Sequence, residues 1–496
     1  MNFADEILLK LLSLSLCRRM AELSISEMER PIHLLVFPYP AQGHNRPLLD
    51  LTHRLALRPE FTVTVITTPK NLSSLSSLIS AHPSTVHPLV LPFPSHPALP
   101  DGVENVRDIG NRGNLPIMSA LRSLRRPIAE WFRSNPDPPV AIISDFFLGW
   151  THLLAVEDLG IPRFAFFGVG AFLASILDHC FLNYAAVAAL EVVPFTDLPN
   201  SPSFKEEHLP SLFRLYSESD GHWEHIKDGM VANTSSYGCI FNSFECLEGP
   251  YMEHLKRKIG HDRVYGVGPL SLVGLDSGPS RYDPCDTVFQ WLDGRPDRSV
   301  LYVCFGSQKA LNMDQMEALA SGLVKSGVRF IWVVYMGSAQ KRDDGLGPLL
   351  EEFEARVGGR GMVLRGWAPQ VAILGHRAVG GFLTHCGWNS LMEAVVAGVV
   401  LLAWPMEADQ FVNAKLLVED IGAAVRVCEG ADAVPEPENL SQVIAGSMRG
   451  DTKEKAEAKK LHKKALAAVA PGGSSANGFD CLVGQLLRLA RGKKNA

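Results

Sequence analysis

The sequence predicts an α/β protein built as two doubly wound parallel-sheet domains that face a cleft. Three observations predict it: a strand, Gly-containing loop, helix and strand in series from Pro31, a Gly/Ser/Pro/Asp-rich stretch near residues 270–286, and a fresh strand/helix alternation beyond it.

In PIHLLVFPYPAQGHNRPLLDLTHRLALRPEFTVTVITT, Ile32 to Phe37 form a short buried-strand run. Leu48, Leu51 and Leu55 then repeat at helical spacing after Pro47, a favoured first-turn residue, and Thr62 to Thr67 form the next strand. This βαβ unit predicts a parallel sheet. Val140 to Ile143 and Arg163 to Phe167 continue it. After SLVGLDSGPSRYDPCD the pattern restarts with strands at Val300 to Cys304, Phe330 to Val334, Met362 to Leu364, Gly381 to Thr384 and Val400 to Ala403, and helices at Met313 to Ser326 and Ser390 to Ala397. Cys481 to Ala490 read as a closing amphipathic helix. The expected organisation is an extension over 1–28, a first Rossmann-like domain over 29–270, a linker over 271–286, a second Rossmann-like domain over 287–475 and a C-terminal helix over 476–496.

The chain has 496 residues, 46% hydrophobic and 20% charged, which suits two globular domains rather than a disordered or fibrous chain. A net charge of −6 supplies no electrostatic footprint for nucleic acid or an anionic membrane, so the expected partner is a small molecule. The nine cysteines show no CxxC spacing, and their odd number argues against a disulfide framework, pointing to a reducing cytosol. ILLKLLSLSL, residues 7–16, has the apolar character of a signal-peptide core, but acidic MNFADE precedes it and no small-residue cleavage pattern follows. It is too short to span a bilayer, so no stable membrane anchor is expected.

FLTHCGWNSLMEA, residues 382–394, places donors where a strand becomes a helix. In doubly wound sheets, ligands bind beyond the carboxyl ends of the strands, where helix N-termini favour anions. Gly387 permits close backbone approach, Asn389 and Ser390 add side-chain donors, His385 can donate to a phosphate oxygen, and Glu393 can accept from ribose hydroxyls. These thirteen residues suit a diphosphate cradle and, equally, an ordinary capped helix over a buried histidine.

The first half offers a base. His44, in AQGH, sits in the loop leading to the first helix, and an imidazole titrates near 6.5, close to working pH. His33 lies within a strand, and His53 and His152 look like helix residues. Asp145 stands at the end of another first-domain strand, where its carboxylate could fix the tautomer of His44 or simply cap a helix.

A wider window narrows the reading. WAPQVAILGHRAVGGFLTHCGWNSLMEAVVAGVVLLAWPMEADQ, the 44 residues from Trp367 to Gln410, resembles nearly position by position the signature box of plant UDP-dependent glycosyltransferases of family 1. The resemblance continues over most of the chain from about Met28, including PYPAQGH, SDFFLGWT and CFGSQ. It implies a GT-B fold and an enzyme whose UDP-sugar is a co-substrate, with no cofactor and no metal. Trp367 would stack on uracil and Ala368 would meet its edge through the backbone. Gln370 and Glu393 would take the ribose hydroxyls. His385, Asn389 and Ser390, with Ser307, would hold the diphosphate, and Trp388, Asp409 and Gln410 would line the sugar pocket. His44 and Asp145 would form a base dyad for an inverting transfer, with His385 and the helix dipole supplying a positive field for departing UDP.

In this family a final Gln goes with glucosyl donors, so Gln410 implies UDP-glucose; UDP-rhamnose and UDP-xylose remain open. Asn45 and Arg46 depart from the hydrophobic residues that often follow the catalytic His, and Val169 stands where many relatives carry Ser or Thr near the sugar. The expected acceptor is a small lipophilic hydroxyl or carboxyl compound such as a flavonoid or phenolic, and the expected state a cytoplasmic monomer. A nucleotide-sugar-binding protein without turnover, and an epimerase or phosphorylase of the same architecture, are the alternatives; keeping both His44 and Asp145 argues against the first.

Overall fold

The computed structural model describes residues 31–217, 223–275, 287–306, 310–334 and 346–494. Ser307, the segment 1–30 and most of the expected linker, 276–286, lie outside the described residues.

The first sheet contains β1 (Ile32–Phe37), β2 (Phe61–Thr67), β3 (Val86–Val90), β4 (Ala141–Asp145) and β5 (Arg163–Phe167). A small antiparallel hairpin, β6 (Val192–Pro194) with β7 (Ser203–Lys205), interrupts the chain before β8 (Gly238–Phe241) and β9 (Val264–Gly266) complete the sheet. The order is β3-β2-β1-β4-β5-β8-β9, parallel throughout. The second sheet contains β10 (Val300–Cys304), β11 (Arg329–Val334), β12 (Gly361–Arg365), β13 (Val379–Thr384), β14 (Val400–Ala403) and β15 (Ala424–Arg426). Its order is β12-β11-β10-β13-β14-β15, again parallel.

The strands nearest the sheet centres are buried on both faces, β1, β4, β5, β10 and β13 along their whole length, as parallel sheets covered by helices require. One apolar core runs from Phe37, Phe146 and Phe167 through to Tyr302, Phe382 and Trp388, so the two halves share packing. The outer face of the first sheet is covered by the last helix, Ser474–Lys494, through Phe479, Leu482, Val483 and Leu486. The final element of the chain therefore packs on the first half. Among the described residues no helix is long and apolar enough to cross a membrane.

In each sheet the strand order reverses beside its first strand, between β1 and β4 and between β10 and β13. A crevice opens beyond the carboxyl ends of such a pair. Phe37 pairs with Ser144 at one reversal and Cys304 with Thr384 at the other, which places the chain just after each pair at the crevice.

Candidate functional site

The carboxyl edges of the two sheets meet across a cleft of about 1550 Å³. At the first reversal, the helix after β1 begins at Gln42, so His44 lies in its first turn rather than in a preceding loop, and Pro47 lies inside the helix. Without an N–H, Pro47 leaves the carbonyl of Gly43 short of its helical donor. Asn389 Nδ2, from the second half, donates to that carbonyl at 3.0 Å and so joins the halves beside the histidine.

Asp145, the last residue of β4, is fully buried, and its carboxylate lies 3.1 and 3.0 Å from His44 Nδ1. A carboxylate only accepts, so Nδ1 carries the proton and the lone pair belongs to Nε2. The carboxylate is held by the Phe147 N–H on Oδ1 at 2.8 Å. The imidazole is enclosed by Tyr39, Phe146 and Phe147, with ring centroids 5.2, 5.4 and 4.4 Å away, and its side chain keeps 18% exposure at the cleft. Behind Asp145 lies Arg163, a buried guanidinium bonded to Ser144 Oγ, Ser236 Oγ and Asn233 Oδ1 at 2.8, 2.7 and 3.0 Å. Burial pulls its pKa down to about 10, opposed by Asp145, so it stays cationic at neutral pH.

At the second reversal, β13 ends at Thr384 and the helix Trp388–Ala397 starts after Gly387. Ser390 lies in its first turn. Gln370 Nε2 reaches both Glu393 Oε2 at 2.7 Å and Ser390 Oγ at 3.2 Å, so the two residues expected to take ribose hydroxyls are already adjacent. Burial raises the pKa of Glu393, opposed by the Gln370 bond and the charge of Arg46. Arg46, singled out in the sequence as a departure, thus reaches the cleft electrostatically. Trp367 is 82% exposed on the cleft wall, an uncovered indole face, while the adjacent Ala368 is buried.

Asp409 immediately precedes the helix Gln410–Lys415. Burial raises its pKa, partly opposed by Asn413 Nδ2 at 2.7 Å and by the Trp388 backbone N–H. Gln410 Oε1 accepts from the N–H groups of Met406 and Glu407, both at 2.9 Å, which leaves the amide NH₂ as the group it can offer a ligand.

Burial pushes the pKa of His385 down to about 4, so its ring is neutral and can act as a hydrogen-bond donor, while the partial positive charge beside it comes from the helix N-terminus. The ring packs so tightly that a Cβ on Gly306 or Gly387 would meet Nε2 at 2.7 or 2.8 Å. The indole of Trp388 lines the cleft but is committed elsewhere. Its Nε1 donates to Asn242 O at 2.9 Å, and its ring lies against Gly170. His33, in β1, bonds Thr64 Oγ1 of β2 at 2.8 Å, as a packing residue does. Arg163 reads in the sequence as one more strand residue, and nothing in its neighbourhood along the chain signals that it underlies Asp145.

Residues 274–447 match the family model described as UDP-glucoronosyl and UDP-glucosyl transferase. UDP-glycosyltransferase 89A2 of Arabidopsis thaliana is 54% identical over 463 residues, covering 92% of this chain and 96% of the relative. Flavonol 3-O-glucosyltransferase UGT89B1 of the same plant is 48% identical, covering 93% and 97%. The crystal structure of Arabidopsis thaliana UGT89C1 complexed with UDP-L-rhamnose matches with a TM-score of 0.75 at 39% identity, covering 92% and 99%. Two parallel sheets meeting at a shared cleft, with this similarity over nearly the whole length, make the chain a GT-B enzyme that belongs to the plant family 1 UDP-glycosyltransferases.

Proposed function

We propose that the enzyme transfers glucose from UDP-glucose, with inversion, to a hydroxyl of a small phenolic acceptor of the flavonol type. The observation that carries this reading is the His44–Asp145 contact at 3.0 Å, at the mouth of the cleft that also holds Gln370, Glu393 and Asp409. In this mechanism His44 Nε2 takes the acceptor's proton as its oxygen attacks C1, the C1–phosphate bond breaks, and UDP leaves toward the N-terminus of Trp388–Ala397. Asp145 stabilises the imidazolium that forms. One displacement on an α-linked donor gives a β-glycoside. In the donor site, Trp367 stacks on uracil with Ala368 at its edge, Gln370 and Glu393 hold the ribose, and His385, Asn389, Ser390 and Ser307 hold the diphosphate. Asp409 as acceptor and the Gln410 NH₂ as donor offer a complementary pair for vicinal sugar hydroxyls.

The flavonol acceptor is supported by the name of the 48% identical relative and by the apolar wall of Leu115, Phe146, Leu173 and Leu212 on the acceptor side of the cleft. A second reading, UDP-rhamnose, is favoured by Val169. It lines the cleft without a hydroxyl to offer a sugar 6-hydroxyl, and one relative was solved with that donor. A cytoplasmic setting fits the free thiols of the described residues; fractionation against a cytosolic marker checks it.

UDP release from UDP-glucose, UDP-rhamnose and UDP-xylose with a flavonol panel, and the anomeric coupling constant of each product, test the proposal. Glucose transfer giving a β-glycoside supports it. A rhamnoside alone moves the assignment to the second reading, and retention of configuration sinks the mechanism.

A further inference from the structure

We infer that Ser211, on the acceptor side of the cleft, is a positioning residue for the sugar half of the donor. The inference rests on the reading of Asp409 and Gln410 as sugar ligands. Those two residues follow Ala408, whose φ of +57° is left-handed, a conformation that costs a residue with a Cβ and has to be held by its surroundings.

The first half does the holding. The Ala408 N–H donates to Ser211 Oγ at 2.7 Å, and the Ser211 N–H donates to the Ala408 carbonyl at 3.2 Å, so one residue grips both polar groups of the strained peptide unit. On either side, Asn111 Nδ2 donates to Glu407 Oε1 at 2.6 Å, and the His208 ring stacks on Phe411 at 4.2 Å and 10°. The turn that aims the sugar ligands is therefore fixed from its own side by Gln410 Oε1 and from the other side by three residues of the acceptor half. Pro210, Leu212 and Leu215, next to Ser211, line the same cleft, so a ligand pressing on that wall moves the residue that sets the turn. The groups assigned to UDP, Trp367, Gln370, Ser390 and Glu393 among them, stand outside this arrangement. Recognition of the sugar is thereby separated from affinity for UDP, and tied to the acceptor wall.

The test measures UDP and UDP-glucose affinity, with kcat/KM for UDP-glucose, UDP-rhamnose and UDP-xylose, in the full-length enzyme and in S211A, S211T and D409N. S211A should leave UDP affinity within about twofold while lowering the ratio of UDP-glucose to UDP affinity roughly tenfold, the worth of one hydrogen bond, and should narrow the spread among donors. S211T, which keeps the hydroxyl, should retain the wild-type ratio. A408G added to S211A should recover part of the loss, because glycine adopts this φ without strain. D409N separates the two readings. A ratio unchanged in D409N removes Asp409 as a sugar ligand and the inference with it; a ratio lowered in D409N but unchanged in S211A overturns the inference alone. Equal loss of UDP and UDP-glucose in S211A also overturns it, since that marks a general structural role.

Discussion

Replacing Asp145 with asparagine tests the base assignment more sharply than deleting the histidine, because the geometry dictates what the new amide does. The carboxylate accepts from the Phe147 N–H through Oδ1 at 2.8 Å and faces His44 Nδ1 through Oδ1 at 3.1 Å and Oδ2 at 3.0 Å. In D145N only the amide oxygen can satisfy the Phe147 N–H, so the NH₂ takes the Oδ2 position and sets a donor against His44 Nδ1. Either the Nδ1 proton stays, with a donor now set against it, or it moves to Nε2, the nitrogen the mechanism needs as base; in both cases the charge that would stabilise the imidazolium is gone. Volume and burial hardly change. The equivalent exchange in the serine-protease triad costs about 10⁴ in kcat, and a positioned general base contributes about 10²–10⁴. A fall of roughly 10³ in kcat is expected here, about 4 kcal/mol at 1.36 kcal/mol per decade. Steady-state UDP release with a flavonol acceptor measures it, and calorimetric titration with UDP should show unchanged affinity because Asp145 has no part in the donor site. D145N retaining more than about a tenth of wild-type kcat would refute the reasoning, since without the carboxylate the imidazole loses both the partner that fixes its tautomer and the charge that stabilises its protonated form.

Three further outcomes are expected. W367A should weaken UDP binding by about 1–3 kcal/mol in titration while leaving Tm in place, because the indole is 82% exposed and packs against nothing that folding needs; a fall in Tm with UDP affinity intact would contradict its role. G170A should lower Tm by an amount equivalent to about 1–3 kcal/mol. The added Cβ would stand 2.4 Å from buried Glu248 Oε1 and 2.6 Å from Trp388 Cη2, wedging the helix Ala171–Leu182 against the second half. Denaturant unfolding from pH 7 to pH 4 reads the burial of His385. Its folded pKa of about 4 lies below the unfolded value near 6.5, so the unfolded chain binds the extra proton and stability falls as pH drops through that window, by at most about 3 kcal/mol. H385Q should lose less over the same range, and an identical pH slope in both proteins would rule out a neutral buried ring.

What the sequence revealed and what it hid divide along a physical line. The cradle of Gly387 to Glu393 is local, one strand, one turn and one helix, and runs such as Arg163–Phe167, Met313–Ser326 and Val400–Ala403 coincide with their elements because burial leaves an unbroken apolar or 3.6-period pattern. The start of the first helix was obscured. Pro47 reads as a first-turn residue, yet the helix begins at Gln42 with no side-chain cap on Ala41 to announce it. The dyad is different again, since its partners stand 101 residues apart: strand-end positions made the pairing possible, and only the family resemblance implied it. Adjacency of β1 and β4 then brings those ends together, a consequence of the order reversal rather than of any motif. Contacts made after both sheets exist leave no periodic trace at all. Ser211 and Ala408 are 197 residues apart, one opening the short helix Ser211–Leu215 and the other in a turn, and Arg163 differs from its strand neighbours only in charge. The base and the donor cradle therefore follow from topology, one reversal in each half. Arg163 beneath the carboxylate and Ser211 against the turn before Asp409 follow instead from how the finished elements pack on one another.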